Sequence, residues 1–183
     1  TYHEQVILAS SSKTRINYLK KYFRKALAVQ HKAKENNIKD KNKNLSFLDL
    51  VKLLAKKKAQ SIVEDYPNNI VIGSDQILIC EGKLINKSKN ISEARENLMK
   101  LRGKKHTLIS STYVIKNKKF YHEETKEAKL IFKNISTSKV EEYLKENKKS
   151  VLMSVGSYRI EDNEKYNFLE VIKGDYETII GFP

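Results

Sequence analysis

An aspartate stands in the middle of the most apolar run of the chain, Ile70-Val71-Ile72-Gly73-Ser74-Asp75-Gln76-Ile77-Leu78-Ile79-Cys80. The β-branched and aliphatic residues on both sides of Ser74-Asp75-Gln76 predict a strand buried within a sheet. A carboxylate removed from water without a partner is very costly. Asp75 therefore requires a cation, a set of hydrogen-bond donors, or a strand end that opens into a cleft. Gly73 favours the cleft, because a glycine inside a strand often marks a bulge or a close approach of ligand to backbone. The alternative is a structural aspartate capping a turn, disfavoured by the poor strand propensity of this residue type.

With 183 residues, the chain suits one domain, or one domain with a small lobe, and can bury a sizeable core. Hydrophobic residues make up 39% and charged residues 32%, yet apolar segments recur throughout. That combination predicts a folded protein with a heavily charged surface. No apolar run is long enough to span a bilayer and no signal-peptide pattern opens the sequence, so a cytoplasmic protein is expected. The single cysteine, Cys80, excludes an internal disulfide and a cysteine-based zinc site, and is expected as a buried thiol. A net charge of +14 admits nucleic acid, membrane surfaces or polyanionic small molecules as partners. The lysines are spread over nearly every segment, with no arginine-rich stripe and no aromatic-interleaved basic motif, which argues against nucleic acid. A smaller basic set facing a phosphate-bearing ligand fits the same charge.

Val6-Ile7-Leu8-Ala9 predicts a short strand that runs into Ser10-Ser11-Ser12, after which Ile16, Leu19, Phe23 and Leu27 recur at helical spacing. Strand, small polar loop and helix start, in that order, bring backbone N–H groups and hydroxyls to the positive end of a helix, a natural phosphate cradle. Arg15 falls in the first helical turn, where a cation opposes the dipole unless it faces an anion. An ordinary serine N-cap with an exposed arginine is the plain alternative. Residues 31–44 are polar and aperiodic and predict a loop or flexible edge. Ser46, followed by Asp49, predicts the start of a long helix with Phe47, Leu50, Val51, Leu54, Ala55, Ala59 and Ile62 on its apolar face. Lys58 falls on that face, whereas Lys56 and Lys57 point elsewhere. Such a lysine either snorkels to solvent or aims its ammonium into a cleft, at a phosphate.

Beyond the Asp75 strand, Glu81-Gly82 predicts a hairpin turn, 86–89 a basic loop, and 91–101 a helix closed by Gly103. Strands are expected over 107–115, 118–121 and 128–132, and a helix from Ser138 through Leu144. A helix-like piece is expected over 166–172 and a closing strand over 178–180. No repeat or domain linker is visible. The alternation of strands and helices argues for an α/β domain.

These residues resemble the Maf family, nucleotide pyrophosphatases once described as septum formation inhibitors. The stretch from Ile7 to Arg15 is similar to the family's opening Leu-Ala-Ser-x-Ser-x-x-Arg motif, and Val71 to Gln76 to its second signature. Lys87 stands at its Gly-Lys-Pro loop, with Asn86 and Ser88 in place of Gly and Pro. Ala94, Leu98, Leu101, Gly103 and His106 follow its helix-Gly-x-x-His pattern. Ser154 to Tyr158, and Gly174 through Gly181-Phe182-Pro183, match its C-terminal motifs. The likeness covers essentially the whole chain, and all 6 glycines fall at family glycine positions.

The resemblance implies an α/β fold of the Maf/ITPase type, a twisted mixed central sheet flanked by helices with an active-site cleft, as a single domain over 1–183. It implies hydrolysis of a nucleoside triphosphate to monophosphate and pyrophosphate in a house-cleaning role, with a divalent cation: Mg²⁺, or alternatively Mn²⁺ or Co²⁺. Asp75 corresponds to the family's proposed proton acceptor, and Ser10, Ser12, Arg15, Lys58 and Lys87 to its phosphate-contacting positions. Glu35 matches the second member of an Asp-Glu pair associated with metal binding, and Lys34 replaces the first. Asp75 is thus either the general base or a metal ligand beside Glu35. Thr14, Gln76 and Glu161 occupy the positions associated with substrate choice. Gln76 and Glu161 are similar to the branch acting on methylated GTP, whereas Thr14 stands where that branch has Trp. Asp162 and Glu164 replace glycines that usually follow Glu161, adding negative charge near the base pocket. The sequence stops at Gly181-Phe182-Pro183, where the family continues into a closing helix. The expected partner is a nucleoside triphosphate, with neither membrane nor nucleic acid, and monomer and homodimer both stay open. The rival expectations are a non-catalytic nucleotide- or RNA-binding protein of the same fold and a cell-division regulator.

Overall fold

All four residues of the first strand, Val6–Ala9 (β1), are fully buried, because the strand has neighbours along both edges. It pairs in parallel with β2 (Leu27–Val29) on one side and with the start of β3 (Ile70–Cys80) on the other. The structure, a computed structural model, describes residues 5–183. The remaining strands are β4 (Lys83–Leu84), β5 (Lys105–Lys116), β6 (Lys119–Phe132) and β7 (Leu169–Lys173). They complete a mixed sheet in the order β2-β1-β3-β5-β6-β7, with β4 paired to β3. The helices are α1 (Lys13–Lys20), α2 (Glu35–Lys41), α3 (Phe47–Gln60), α4 (Ile91–Leu101), α5 (Thr137–Glu146) and the single turns α6 (Ser150–Met153), α7 (Asn163–Tyr166) and α8 (Tyr176–Ile179). The expected α/β class is thus observed. Among the described residues no helix is long and apolar enough to cross a membrane.

The chain divides into two compact units, and β3, β5 and β6 contribute a stretch to each. The first comprises the chain up to Gln76, Ile109–Lys126 and Gly181–Pro183. Its core joins Ile7 and Ala9 of β1 to Val71 of β3, Tyr113 and Ile115 of β5, and Ala55, Ala59 and Ile62 on or just beyond α3. Ser46 caps α3 as expected, its Oγ accepting from the Asp49 amide at 3.1 Å. Gly73 has a different reason from the one expected. A Cβ there would lie 2.0 Å from the Ala55 carbonyl oxygen and 2.6 Å from the Ala59 nitrogen. The glycine lets the backbone of α3 lie directly on β3, so it serves helix–strand packing rather than a bulge or a ligand. Two other expectations fail here. α1 ends at Lys20, and Leu27, 46% exposed, belongs to the edge strand β2 rather than to a helical stripe. Within 31–44 lies α2, which buries no residue and therefore carries no apolar period to read.

The second unit comprises Ile77–Leu108 and Glu127–Ile180. Its core packs Leu98 and Leu101 of α4 and Val140 and Tyr143 of α5 with Leu130 and Phe132 of β6. Phe132, Tyr143, Tyr158 and Phe168 add a cluster of edge-on rings at 5.0–6.2 Å. Cys80 is buried as expected, and desolvation pushes its thiol pKa up. Four sequence-based expectations are corrected along this part of the chain. The pieces 118–121 and 128–132 are one strand, β6, whose polar middle is tolerated because much of it faces solvent. Residues 166–172 hold the end of α7 and then β7, which pairs antiparallel with β6 instead of continuing as helix. The segment 178–180 lies at the end of α8, capped by Asp175 Oδ1 accepting from the Thr178 amide at 2.8 Å. The cap of α5 is Ser136, not Ser138, its Oγ accepting from the Lys139 amide at 3.1 Å.

Substitution of Gly73 by Ala is expected to destabilise the protein by about 1–3 kcal/mol or more, since the intruding methyl meets backbone rather than a flexible side chain. Urea denaturation measures it.

His106 is 2% exposed, with Nε2 against the Tyr158 hydroxyl, and burial lowers its pKa to about 4. Between that value and about 6.5 the unfolded chain binds the extra proton and the folded chain does not. Stability from the neutral ring is therefore complete above about pH 6.5 and declines as pH falls, by about 3 kcal/mol in all. Urea midpoints across pH 4.5–7.5 should drop more steeply in the wild type than in His106→Asn; parallel curves would refute this.

Candidate active site

β1 ends at Ala9, opposite Gly73, while β3 continues through Ser74, Asp75 and Gln76. Asp75 is therefore in mid-strand by sequence but just past the carboxyl end of the parallel β1–β3 pair. Ligands of α/β sheets bind in crevices at such strand ends. The period of two puts Asp75 on the same face as Gly73, the face covered by α3.

The partner that Asp75 requires comes from that helix. Lys58 Nζ lies 2.7 Å from Asp75 Oδ1 and 2.8 Å from Glu35 Oε1. Lys58 is only 5% exposed, so it does not snorkel, while Lys56 and Lys57 are exposed. Glu35 reaches this point because the segment before α2 is tied to the end of α3. The Lys32 amide donates to Ser61 Oγ at 2.9 Å, and that hydroxyl donates to the Lys58 carbonyl at 2.7 Å. His31 Nε2 stands 3.3 Å from the same Glu35 oxygen. The His31 hydrogen bond chiefly, with Lys58 adding to it against the opposing effect of burial, holds the Glu35 carboxyl well below the usual range. His31 was not among the expected site residues; its spacing of four from Glu35 means little until a helix is known to start there.

Arg15 completes the charge cluster. Its Nε is buried and has no hydrogen-bond partner among the described residues. Burial pulls its pKa down, and the charges of Asp75 and Glu35 oppose that pull. Two cations and two carboxylates thus stand together, with the guanidinium Nε–H not bonded to any described residue. Ser12 is the N-cap of α1, its Oγ accepting from the Arg15 amide at 3.3 Å, and Ser10 Oγ accepts from the Ser12 amide at 3.1 Å. Both hydroxyls act as acceptors in these bonds, which leaves their O–H hydrogens to donate to an anion.

Thr14 is half-buried on α1, and Gln76 Nε2 donates to the buried Ser110 Oγ at 3.0 Å. Lys87 and Glu161 are exposed residues of the second unit. There, Ser88 is buried, donating to the Val151 carbonyl and accepting from Ser157, and Asp162 is bonded to the Tyr143 hydroxyl and paired with Arg159 at 2.9 Å. Asp162 therefore serves that unit's own packing, and its charge is compensated by Arg159.

Among the described residues no group of three or more His, Cys, Asp or Glu side chains converges to hold a metal. Glu35 and Asp75 do converge, each placing one oxygen within 2.8 Å of the Lys58 nitrogen. Two carboxylates completed by substrate phosphates are a common Mg²⁺ environment, so this donor set fits a hard cation that arrives with a polyphosphate.

Removing Lys58 leaves two neighbouring carboxylates without their shared cation. Lys58→Met is expected to lose about 3–5 kcal/mol at neutral pH. Lys57→Met, on the exposed side, should stay within about 0.5 kcal/mol of wild type. Equal urea midpoints for the two variants would contradict the geometry.

The Maf family, described as Maf-like protein, matches residues 5–183. Over 185 residues the chain is 38% identical to the 7-methyl-GTP pyrophosphatase of Bartonella henselae, covering 98% of this chain and 90% of that protein. It is 32% identical to the nucleoside triphosphate pyrophosphatase of Granulibacter bethesdensis, over 98% of this chain and 91% of the relative. The protein of that name from Pelagibacter ubique is also 32% identical, with 98% and 93% covered.

Proposed function

The chain belongs to the Maf family, and from that premise we propose that it hydrolyses nucleoside triphosphates between the α- and β-phosphates, giving a monophosphate and pyrophosphate. The observation that carries this reading is the carboxylate of Asp75 held by Lys58 at a strand end, beside an Arg15 whose buried Nε is unpartnered. A triphosphate would supply the hydrogen-bond acceptor that this Nε lacks. Arg15 and Lys58 would bind the phosphate oxygens and stabilise the negative charge that builds up as the bond breaks, with the hydroxyls of Ser10 and Ser12 as further donors.

Lys58 occupies Oδ1 of Asp75, so Oδ2 is the oxygen we assign to the attacking water. Asp75 orients that water and accepts its proton as the new bond to the α-phosphorus forms and the bond to pyrophosphate breaks. Glu35 and Asp75 would hold a divalent cation, Mg²⁺ in this proposal, which when bound neutralises charge on the phosphates. Lys58 would keep Asp75 Oδ1 and exchange Glu35 for a phosphate oxygen as its second partner. Lys87 is assigned to phosphate binding, and Thr14, Gln76 and Glu161 to the choice of base, on the strength of the family motifs. The relative named 7-methyl-GTP pyrophosphatase, together with Gln76 and Glu161, makes methylated GTP the first candidate. A cytoplasmic, house-cleaning role belongs to the same proposal.

The test is pyrophosphate release from a panel of normal and modified nucleoside triphosphates with Mg²⁺. Turnover should fall by about 10²–10⁴ in Asp75→Asn, the usual worth of a positioned general base. A variant as fast as wild type would overturn Asp75's role. Salt-sensitive RNA binding with no pyrophosphate release would overturn the enzymatic reading itself.

A further inference from the structure

Arg15 Nε is buried with no hydrogen-bond partner among the described residues, so packing must help to set the position of the guanidinium. The neighbouring atoms identify the support. A Cβ built on Gly181 would lie 2.4 Å from Arg15 Nη2, 2.8 Å from Nε and 3.0 Å from Cζ. The guanidinium therefore rests against the Gly181 backbone, in space that any other residue would fill. Gly181 also has φ +89°, in the left-handed region that favours glycine.

That backbone is itself fixed from three sides. Ser74 Oγ, fully buried, donates to the Gly181 carbonyl at 2.6 Å. The Phe182 ring meets Tyr18 edge-on, with centroids 6.1 Å apart. Tyr18 lies one turn beyond Arg15 on α1. Thr112 Oγ1 of β5 donates to the Pro183 carbonyl at 3.4 Å. Ser74 immediately precedes Asp75 in β3.

We infer that Ser74 and the strap Gly181-Phe182-Pro183 are positioning elements for Arg15: the strand that carries Asp75 holds the Gly181 carbonyl, and the Gly181 backbone holds the guanidinium. The register between the carboxylate and the phosphate-binding cation is thus set through one serine hydroxyl and one glycine. Arg15 keeps its Nε–H unbonded because packing against Gly181 holds that part of the guanidinium. This rests on the proposed role of Arg15 in binding phosphate.

The experiment is a double-mutant cycle on the full chain, read as kcat/KM for the preferred triphosphate and as the inhibition constant of pyrophosphate. Gly181→Ala and Ser74→Ala should each lower kcat/KM and weaken pyrophosphate binding by about 10-fold or more, a loss of about 1.4 kcal/mol or above. In an Arg15→Ala background the same changes should cost less than about 3-fold, because the group they position is gone. A merely structural role would instead give losses that multiply with that of Arg15→Ala. Ser74→Ala adds no bulk and keeps the test open if Gly181→Ala does not fold, and thermal melts identify that case. Multiplicative losses, or wild-type kinetics in both Gly181→Ala and Ser74→Ala when Arg15→Ala is impaired, would overturn the inference. Full activity of Arg15→Ala would instead overturn the phosphate-binding role beneath it.

Discussion

A buried ammonium between two carboxylates is the interaction on which the site depends. Lys58 bridges Asp75 and Glu35, two residues from segments far apart in sequence. Neither Lys58 nor Asp75 is comfortable alone at this depth, since an unpaired buried charge costs several kcal/mol, whereas Glu35 is partly exposed. Together with Arg15 they form a set with no net charge, which the fold can tolerate without substrate. The arrangement is also poised to change partners. In the proposed reaction an incoming polyphosphate and its cation would supply new opposite charges for Lys58 and Arg15 and for the two carboxylates.

Holding that set in place is a matter of backbone proximity. Gly73 admits α3 onto β3, and the helix face that supplies Ala55 and Ala59 to the core also carries Lys58 between them. One residue beyond Gly73, Ser74 grips the carbonyl of Gly181, and one residue further stands Asp75. Three successive residues of a single strand thus contact a helix, a C-terminal strap and a lysine. The hydrogen-bonding serines of the loop after β1 follow the same logic, with one hydroxyl capping α1 and the other bracing the loop.

Much of this could be read in the amino acids because it rests on local pattern. The apolar run around Asp75, the stripe of α3 with Lys58 upon it, and the glycine-containing hairpin at Glu81-Gly82 all have short-range signatures. What escaped lacked them. Helix α2 buries no side chain, so no period betrays it, and with it went the role of His31. Strand β6 reads as two pieces because its middle is polar, and β7 reads as helix because its strand state is imposed by pairing with β6. The piece at 178–180 is apolar and β-branched, yet the cap at Asp175 makes it helical. In each case a tertiary or capping contact outweighed a weak local preference.

From the order of residues alone came the α/β class, the requirement that Asp75 have a partner, and the presence of cations suited to phosphate. Those follow from desolvation cost and from hydrophobic period, which are properties of residue types in a row. Which cation satisfies Asp75, that it is shared with Glu35, and that Arg15 lies on Gly181 with its Nε unpartnered were set by folding. The physical reason is that these groups come from five separate stretches of chain. Their distances are fixed by strand register and helix–strand packing, and neither is written in the local spacing of any one stretch.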